Sequence, residues 1–365
     1  MCTKSTIGEM CKQLANRGAF TSMSQISAIL RVEGGDRPFT HPDNRDHHHD
    51  SRFPLRAQCA AGVRRRLRPA CRDARPRRRR VVIYTADGLE NLYKDVLPTF
   101  EKNEGVKVAI VTAGSGEVVN RATVEKDSPK ADVLVTLPPF IQQAQQNGLL
   151  QPYQSVNYKN VSAIAKEKDG AWATFVNNDF SFAINPEVTK TAPKTFADLL
   201  HPDYLGKIAY SNPATAGDGM AVIILTSALM GEDKAFDYLK SLEQSAKFHT
   251  KGTGYLDVLL SRNEIALANG DLQMDLDDAA NGGLSIKPLF LSHKAGEAPT
   301  TFQLPYAIGL IKNGPNQAAG KKLIDYLMSS QVQSKVPDIY GIPPPAPMCR
   351  SPARTARPSS RRSPA

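Results

Sequence analysis

From Val81 onward, short apolar runs alternate with segments that repeat an apolar residue every three or four positions, and few folds satisfy that alternation. Val81-Val82-Ile83-Tyr84 reads as a buried strand, Ala86-Asp87-Gly88 as a turn, and Leu89, Leu92, Val96 and Phe100 as the stripe of an amphipathic helix. A second strand over 106–111, a tight loop at 113–116, a helix over 117–125 and a third strand over 131–135 follow. Strand and helix in turn at this spacing predict an α/β fold with a mostly parallel sheet and crossover helices. Ligands of such sheets gather beyond the carboxyl ends of the strands, which singles out the loops 84–88, 113–117 and 136–139.

A second α/β unit is expected at 180–301, with strands at 180–184, 207–210 and 265–268 and helices at 219–230 and 234–243. A strand at 306–311 and a helix at 318–328 close the pattern, and no solenoid repeat is present. A chain of 365 residues has length for two such lobes. No apolar run approaches the roughly 18 residues of a membrane-spanning helix.

The net charge of +10 suggests a nucleic-acid partner until it is divided along the chain. Residues 1–80 hold 18 basic and 7 acidic side chains, and 343–365 hold 5 arginines and no acid. The middle, 81–342, carries 23 basic and 29 acidic residues and is therefore acidic. Its only arginines are Arg121 and Arg262, and all five cysteines lie outside it, which suits an oxidising compartment without requiring one. The flanks, 1–80 and 343–365, are expected to be disordered, with runs such as Arg77-Arg78-Arg79-Arg80 that stay solvated. Their abrupt Arg/Pro/Ala/Cys composition reads like a GC-rich gene translated out of frame, which sequencing the coding DNA tests. Arginines interrupt every apolar stretch near 53–70, so no secretory leader is legible there.

Three loops suit an anion. Ala113-Gly114-Ser115-Gly116-Glu117 sits between a strand and a helix, where free N–H groups and the helix dipole favour negative charge. Ser211-Asn212-Pro213-Ala214-Thr215-Ala216-Gly217-Asp218-Gly219 and Lys251-Gly252-Thr253-Gly254-Tyr255 repeat that logic. Each alone is as readily an ordinary turn, and only their convergence on one cleft would make a phosphate, phosphonate, sulfate or carboxylate site. Asn269-Gly270-Asp271-Leu272-Gln273-Met274-Asp275 places an acid and two amides at a strand end; the plain alternative is a helix-capping Asp. No G-x-S-x-G elbow or H-E-x-x-H is present, and Gly314 to Lys322 misses the P-loop pattern. His201, His249 and His293 are scattered, His47-His48-His49 lies in the flank, and Trp172 reads as packing. Neither a metal, a cofactor nor an enzymatic activity is expected.

Four strings carry a resemblance. They are Tyr84-Thr85-Ala86-Asp87-Gly88, Ala131-Asp132-Val133-Leu134-Val135-Thr136-Leu137-Pro138-Pro139-Phe140-Ile141-Gln142-Gln143, Ala268-Asn269-Gly270-Asp271-Leu272-Gln273-Met274 and Leu304-Pro305-Tyr306-Ala307-Ile308-Gly309-Leu310. Over 81–342 the chain resembles the 2-aminoethylphosphonate-binding proteins of bacterial ABC importers, type II periplasmic solute-binding proteins related to ferric-iron and polyamine binders. The resemblance implies a two-lobed Venus flytrap with crossings near 177–180 and 301–304, lobe one being 81–178 with 303–342 and lobe two 179–302. It also implies a periplasmic location, an ABC permease as partner, and a monomer. The family's secretory leader and the helices that should follow Gly341-Ile342-Pro343 are absent from the string of residues.

On that reading the loops bearing Gly114, Ser115, Gly116, Asn212, Thr215, Ala216, Gly217, Thr253 and Gly254 supply N–H and O–H donors to the phosphonate, and Glu117, Thr136 and Asp218 are further ligand-binding residues. Asp271 or Asp87 pairs with the ammonium, and Tyr84, Tyr255, Tyr306 and Gln273 complete the site. A ferric-iron binder of the same superfamily would want an adjacent tyrosine pair, which the chain lacks. A nucleic-acid-binding protein would depend on the arginine flanks alone. An enzyme acting on a phosphonate would need a metal or nucleophile constellation that is not found.

Overall fold

The structure, a computed structural model, describes residues 80–344. The arginine-rich N-terminal flank, with its histidine run, and the Pro/Arg tail lie outside the described residues apart from Arg80, Pro343 and Pro344. Two sheets carry the fold. In the first, β1 (Arg80–Ala86), β2 (Lys107–Ala113), β3 (Val133–Thr136), β4 (Leu150–Gln151), β5 (Ala173–Val176) and β11 (Tyr306–Ile311) pair in the order β2-β1-β3-β11-β4, with β5 also on β11. In the second, β6 (Phe180–Ile184), β7 (Ile208–Ser211), β8 (Ala246–Thr250), β9 (Leu267–Asp271) and β10 (Lys287–Leu289) run β10-β6-β9-β7-β8.

The sheets are mixed, not mostly parallel. β1 is parallel to β2 and β3, and β7 to β8 and β9, whereas β11 is antiparallel to β3, β4 and β5, and β6 to β9 and β10. The cause is where the chain changes sheets. β1, β2, β3, β7, β8 and β9 end at the seam between the sheets, while β6 and β11 begin there, just after the crossings at 177–179 and 302–305, and so run the other way. The crossings lie side by side, with Phe180 N–H donating to Phe302 O (3.1 Å) and Leu304 N–H to Asn178 O (2.7 Å). Ile342 pairs with Asn177 in both directions at the same place.

Local sequence explains the main helices. α1 (Glu90–Glu104) buries Leu92, Tyr93, Val96, Leu97 and Phe100 on one stripe and stops at Gly105, whose φ of 62° most residues avoid. α2 (Ser115–Val124) and α3 (Phe140–Gln146) cover one face of the first sheet, with Val118, Val119 and Phe140 in a cluster around Tyr84, Leu134 and Ala307. α4 (Gly217–Met230) is apolar nearly all round because its middle is enclosed, and amphipathic α5 (Glu232–Ser245) packs against it. α6 (Gly254–Ser261), α7 (Leu272–Ala280), α8 (Gln317–Leu327) and α9 (Ser330–Gln333) complete the set. Trp172 is buried, its indole N–H donating to Gln145 Oε1 at 3.0 Å. Among the described residues no helix is long and apolar enough to cross a membrane.

Candidate functional site

The strands that end at the seam deliver their loops to it from both sides. Gly116 N–H, at the start of α2, donates to Thr215 O at 2.7 Å. Gly254 N–H, at the start of α6, donates to Asp87 Oδ2 at 2.8 Å, and Gln273 Nε2 in α7 donates to Gly88 O at 3.1 Å. Thr215 Oγ1 reaches Lys251 O (2.7 Å), and Asn212 N–H reaches Thr250 O (2.8 Å). The glycines make the approach possible. A Cβ on Gly114 would stand 2.6 Å from Thr215 O and 2.7 Å from Lys251 O, and one on Gly252 would stand 2.9 Å from Asp87 Oδ2. The three glycine-bearing loops therefore face one another across a single seam.

On one side the seam opens into a cleft of about 740 Å³. Asp87, Gly114, Glu117, Gly254 and Tyr255 line it, with Glu90, Asp277, Asp278, Lys94, Lys251 and His249 further along the wall. Five carboxylates thus face two lysines there, a lining that favours positive charge. A separate groove of about 650 Å³ lies beside the crossings, between Gln142, Trp172, Ile224 and Phe302.

Beneath the cleft the seam is buried and polar. Ser115, Thr136, Asp218, Thr253, Asp271, Gln273 and Tyr306 are each 3% exposed or less. Thr136 Oγ1 donates to Ser115 O (2.9 Å), and the Ser115 hydroxyl faces Gly217, the first residue of α4. Two helix N-termini, each with amide N–H groups lacking an intrahelical acceptor, are brought together at that point. Thr253 Oγ1 donates to Asp218 Oδ2 (2.7 Å). Ala216 and Gly217 are buried at the head of α4, while Asn212 caps its own turn, accepting from Ala214 N–H at 2.8 Å.

Four acids reach this seam from separate elements, and no lysine, arginine or histidine is buried among the described residues. Burial pushes Asp87 up to about 6, against the pull of the Gly254 N–H. Burial likewise raises Asp271 to about 7, although the Met274 N–H it caps and the Tyr306 hydroxyl favour its charge. Asp218 and Asp275 stand well above the ordinary carboxylate range, through burial first and then the nearby Asp271 charge, against the pull of the Thr253 and Ser181 hydroxyls respectively. Tyr306 Oη lies 2.8 Å from Asp87 O and 2.9 Å from Asp271 Oδ2. A carbonyl only accepts, and a phenol has one proton. A protonated Asp271 donating to Tyr306, which donates to Asp87 O, gives every atom a partner.

Tyr84 is not part of this assembly. Its ring packs on the opposite face of the first sheet, under the Arg121 guanidinium, and its hydroxyl donates to Glu125 at 2.7 Å, at the far end of α2 from the seam. The period of two in β1 sends Tyr84 away from the side that Thr85 and Ile83 share. Asn178 was passed over in the sequence reading, and Asn269 and Ser211 were noted in their loops without being assigned to the site. Asn178, in the first crossing, accepts from Gln273 N–H (3.3 Å), and Asn269 accepts from Ser211 N–H (2.8 Å) while donating to Ser211 Oγ (3.0 Å). The signal available for Asn178 was a pair of asparagines between two strands, whose amides must be satisfied where the chain crosses. Among the described residues no group of three His, Cys, Asp or Glu side chains is disposed to hold a metal ion.

Comparison with known proteins accords with this architecture. Residues 81–336 match the family described as bacterial extracellular solute-binding protein. The chain is 36% identical over 269 residues to a Salmonella typhimurium protein named "Putative 2-aminoethylphosphonate-binding periplasmic protein", covering 72% of this chain and 78% of that one. It is 24% identical to the Fe(3+)-binding periplasmic protein of Serratia marcescens, over 69% of this chain and 75% of the relative. Among solved structures, the periplasmic binding protein AfuA from Actinobacillus pleuropneumoniae, with fructose-6-phosphate bound, superposes with a TM-score of 0.64 at 25% identity, covering 71% and 82% of the two chains. The chain belongs to the bacterial extracellular solute-binding proteins, non-enzymatic periplasmic components that carry a small molecule to an ABC permease.

Proposed function

We propose that the protein binds a small zwitterionic phosphonate, 2-aminoethylphosphonate or a close analogue, in the seam between two lobes and delivers it to the permease. The lobes would be 81–178 with 303–342, and 179–302. The observation that carries this reading is the meeting of two helix N-termini and the Ser115 hydroxyl beside a set of buried acids. The first suits the phosphonate and the second the ammonium, each through charge-assisted hydrogen bonds. Contacts drawn from both sheets mean that ligand favours the closed arrangement over the open one, which is the change a permease can read. The name of the Salmonella relative points to the same ligand.

Calorimetric titration with 2-aminoethylphosphonate, ethylphosphonate and inorganic phosphate tests the proposal, and no heat with the first compound removes it. A second reading has one observation in its favour. The excess of carboxylates along the cleft suits a purely cationic amine of the polyamine type. Saturable binding of 1,3-diaminopropane, with none of 2-aminoethylphosphonate, would establish that alternative.

A further inference from the structure

Tyr306 joins the two sides of the seam, and its hydroxyl meets more acceptors than it has protons. It stands in β11 of the first sheet, with Oη 2.8 Å from Asp87 O on its own side. The same Oη lies 2.9 Å from Oδ2 of Asp271, the last residue of β9 in the second sheet. The hydroxyl is pinned there, because Gly88 packs so closely that a Cβ on it would collide with Tyr306 Oη. Two hydrogen bonds need two protons, and a phenol carries one. Tyr306 therefore donates to the carbonyl, which can only accept, and the bond to Asp271 is made by a proton on the carboxyl. Asp271 Oδ1 accepts from Met274 N–H at 2.7 Å, so the proton sits on Oδ2, the oxygen turned towards the first sheet.

The groups that face Asp271 include no cation. They are Asp87 from the loop between β1 and α1, Asp218 in α4, Asp257 in α6, Asp275 in α7 and the neutral Asn178 amide in the first crossing. Among the described residues no lysine, arginine or histidine is buried, and Lys94, Lys251 and His249 stand out along the cleft. Burial outweighs the Met274 N–H and raises the Asp271 carboxyl to about 7. Parting the sheets takes Tyr306 and Asp87 away with the first one. Asp271 is then left at the head of α7, where water and the Met274 N–H hold a carboxylate. We infer that Asp271 is a proton-operated positioning residue: its carboxyl takes up a proton as the lobes close, bonds through it to Tyr306 of the opposite sheet, and releases it as they open. The inference rests on the two-lobe reading proposed above and on no particular ligand. Asp271 is then engaged within the closed seam and does not meet a ligand's ammonium as a carboxylate.

The test is amide hydrogen exchange of wild type and Asp271→Asn, with isotope-labelled glycine and no ligand added, at about pH 8 and about pH 6. Gly116 N–H donates to Thr215 O and Gly254 N–H to Asp87 Oδ2 across the seam, so both exchange when the lobes part. A carboxyl at about 7 when closed and near the ordinary 3.8 when open should raise the protection of these amides about tenfold from about pH 8 to about pH 6, beyond the intrinsic change in exchange rate. The side-chain amide of Asp271→Asn is a permanent donor to Tyr306 and needs no proton. That variant should be at least about tenfold better protected than wild type at about pH 8, and the gap should narrow about tenfold by about pH 6. Damage to the fold would not produce such a gain. Should Asp271→Asn not fold, Asp271→Ser keeps a helix-capping oxygen without a titratable group and should lose the same tenfold pH dependence. Equal pH dependence in wild type and variant, or a variant that opens more readily than wild type at about pH 8, overturns the inference while the two lobes stand. Seam glycines that exchange no faster than the strand cores at either pH would mean that the lobes do not part short of unfolding, and would overturn both.

Discussion

Gly114 gives the sharpest test of closure at the seam. Its φ of −58° and ψ of 150° are open to any residue, so Gly114→Ala introduces no backbone strain. The new methyl would stand 2.6 Å from Thr215 O and 2.7 Å from Lys251 O, where 3.4 Å is the near edge of ordinary contact. Both are main-chain atoms of the opposite side and cannot swing aside. The two sides must separate by about 0.8 Å, which stretches the Gly116 N–H bond to Thr215 O, now 2.7 Å, past useful length. Losing that bond costs about 0.5–1.5 kcal/mol and the overpacking about 1–3 kcal/mol, so the closed arrangement loses about 2–4 kcal/mol. At about 1.4 kcal/mol per tenfold, affinity for 2-aminoethylphosphonate should fall about 30- to 1000-fold. The ligand-free protein can relieve the clash by opening, so its melting temperature should move by no more than about 2 °C. Titration calorimetry reads the first quantity, thermal unfolding the second, and small-angle scattering the shift towards an extended form. Affinity within threefold of wild type, or a large loss of melting temperature with affinity intact, would refute the argument.

Two further outcomes follow from the buried groups. Because Asp271 and Asp87 bind protons more tightly folded than unfolded, each penalises the native state as pH rises from the ordinary carboxyl value of about 3.8 towards about 7 and about 6 respectively. Stability should therefore increase on acidification from about pH 7.5 to about pH 5, with a limiting slope of about 1.4 kcal/mol per pH unit for each group. Asp271→Asn should flatten that slope, and a melting profile identical to wild type would count against a protonated Asp271. Tyr84→Phe removes only the hydroxyl bond to Glu125 on the far face, so it should cost about 1 kcal/mol of stability by denaturant titration and leave ligand affinity unchanged. A loss of affinity would return Tyr84 to the site.

Much of this was legible without coordinates because alternation is a local property. β6 and β11 stand where their apolar runs fall, and the helices starting at Ser115 and Gly217 follow the small-residue loops that mark them. The resemblance strings located the family, and the family description matches nearly the same span. Short or half-exposed strands were invisible: β4 has two residues, and β8 carries Lys247 and His249 among its five, so neither shows a readable period. α6 was missed because a short helix capped by a polar turn looks like the turn itself, whereas the helix-capping alternative weighed for Asp271 is what the structure shows at the start of α7.

Two matters belonged to the tertiary structure alone. Strand direction depends on which end of a sheet the chain enters, and only the crossings at the seam made β6 and β11 antiparallel. Which acids are free depends on partners far along the chain: Tyr306 occupies Asp271 from 35 residues away, while nothing donates to Asp218 Oδ1. Residue type and local spacing therefore brought most of the candidate groups into view, although Tyr84 turned out to face away and Asn178 was overlooked. Neither could decide which of those groups remain unpaired, because hydrogen-bond satisfaction in a buried seam is settled by contacts between segments that no local pattern relates.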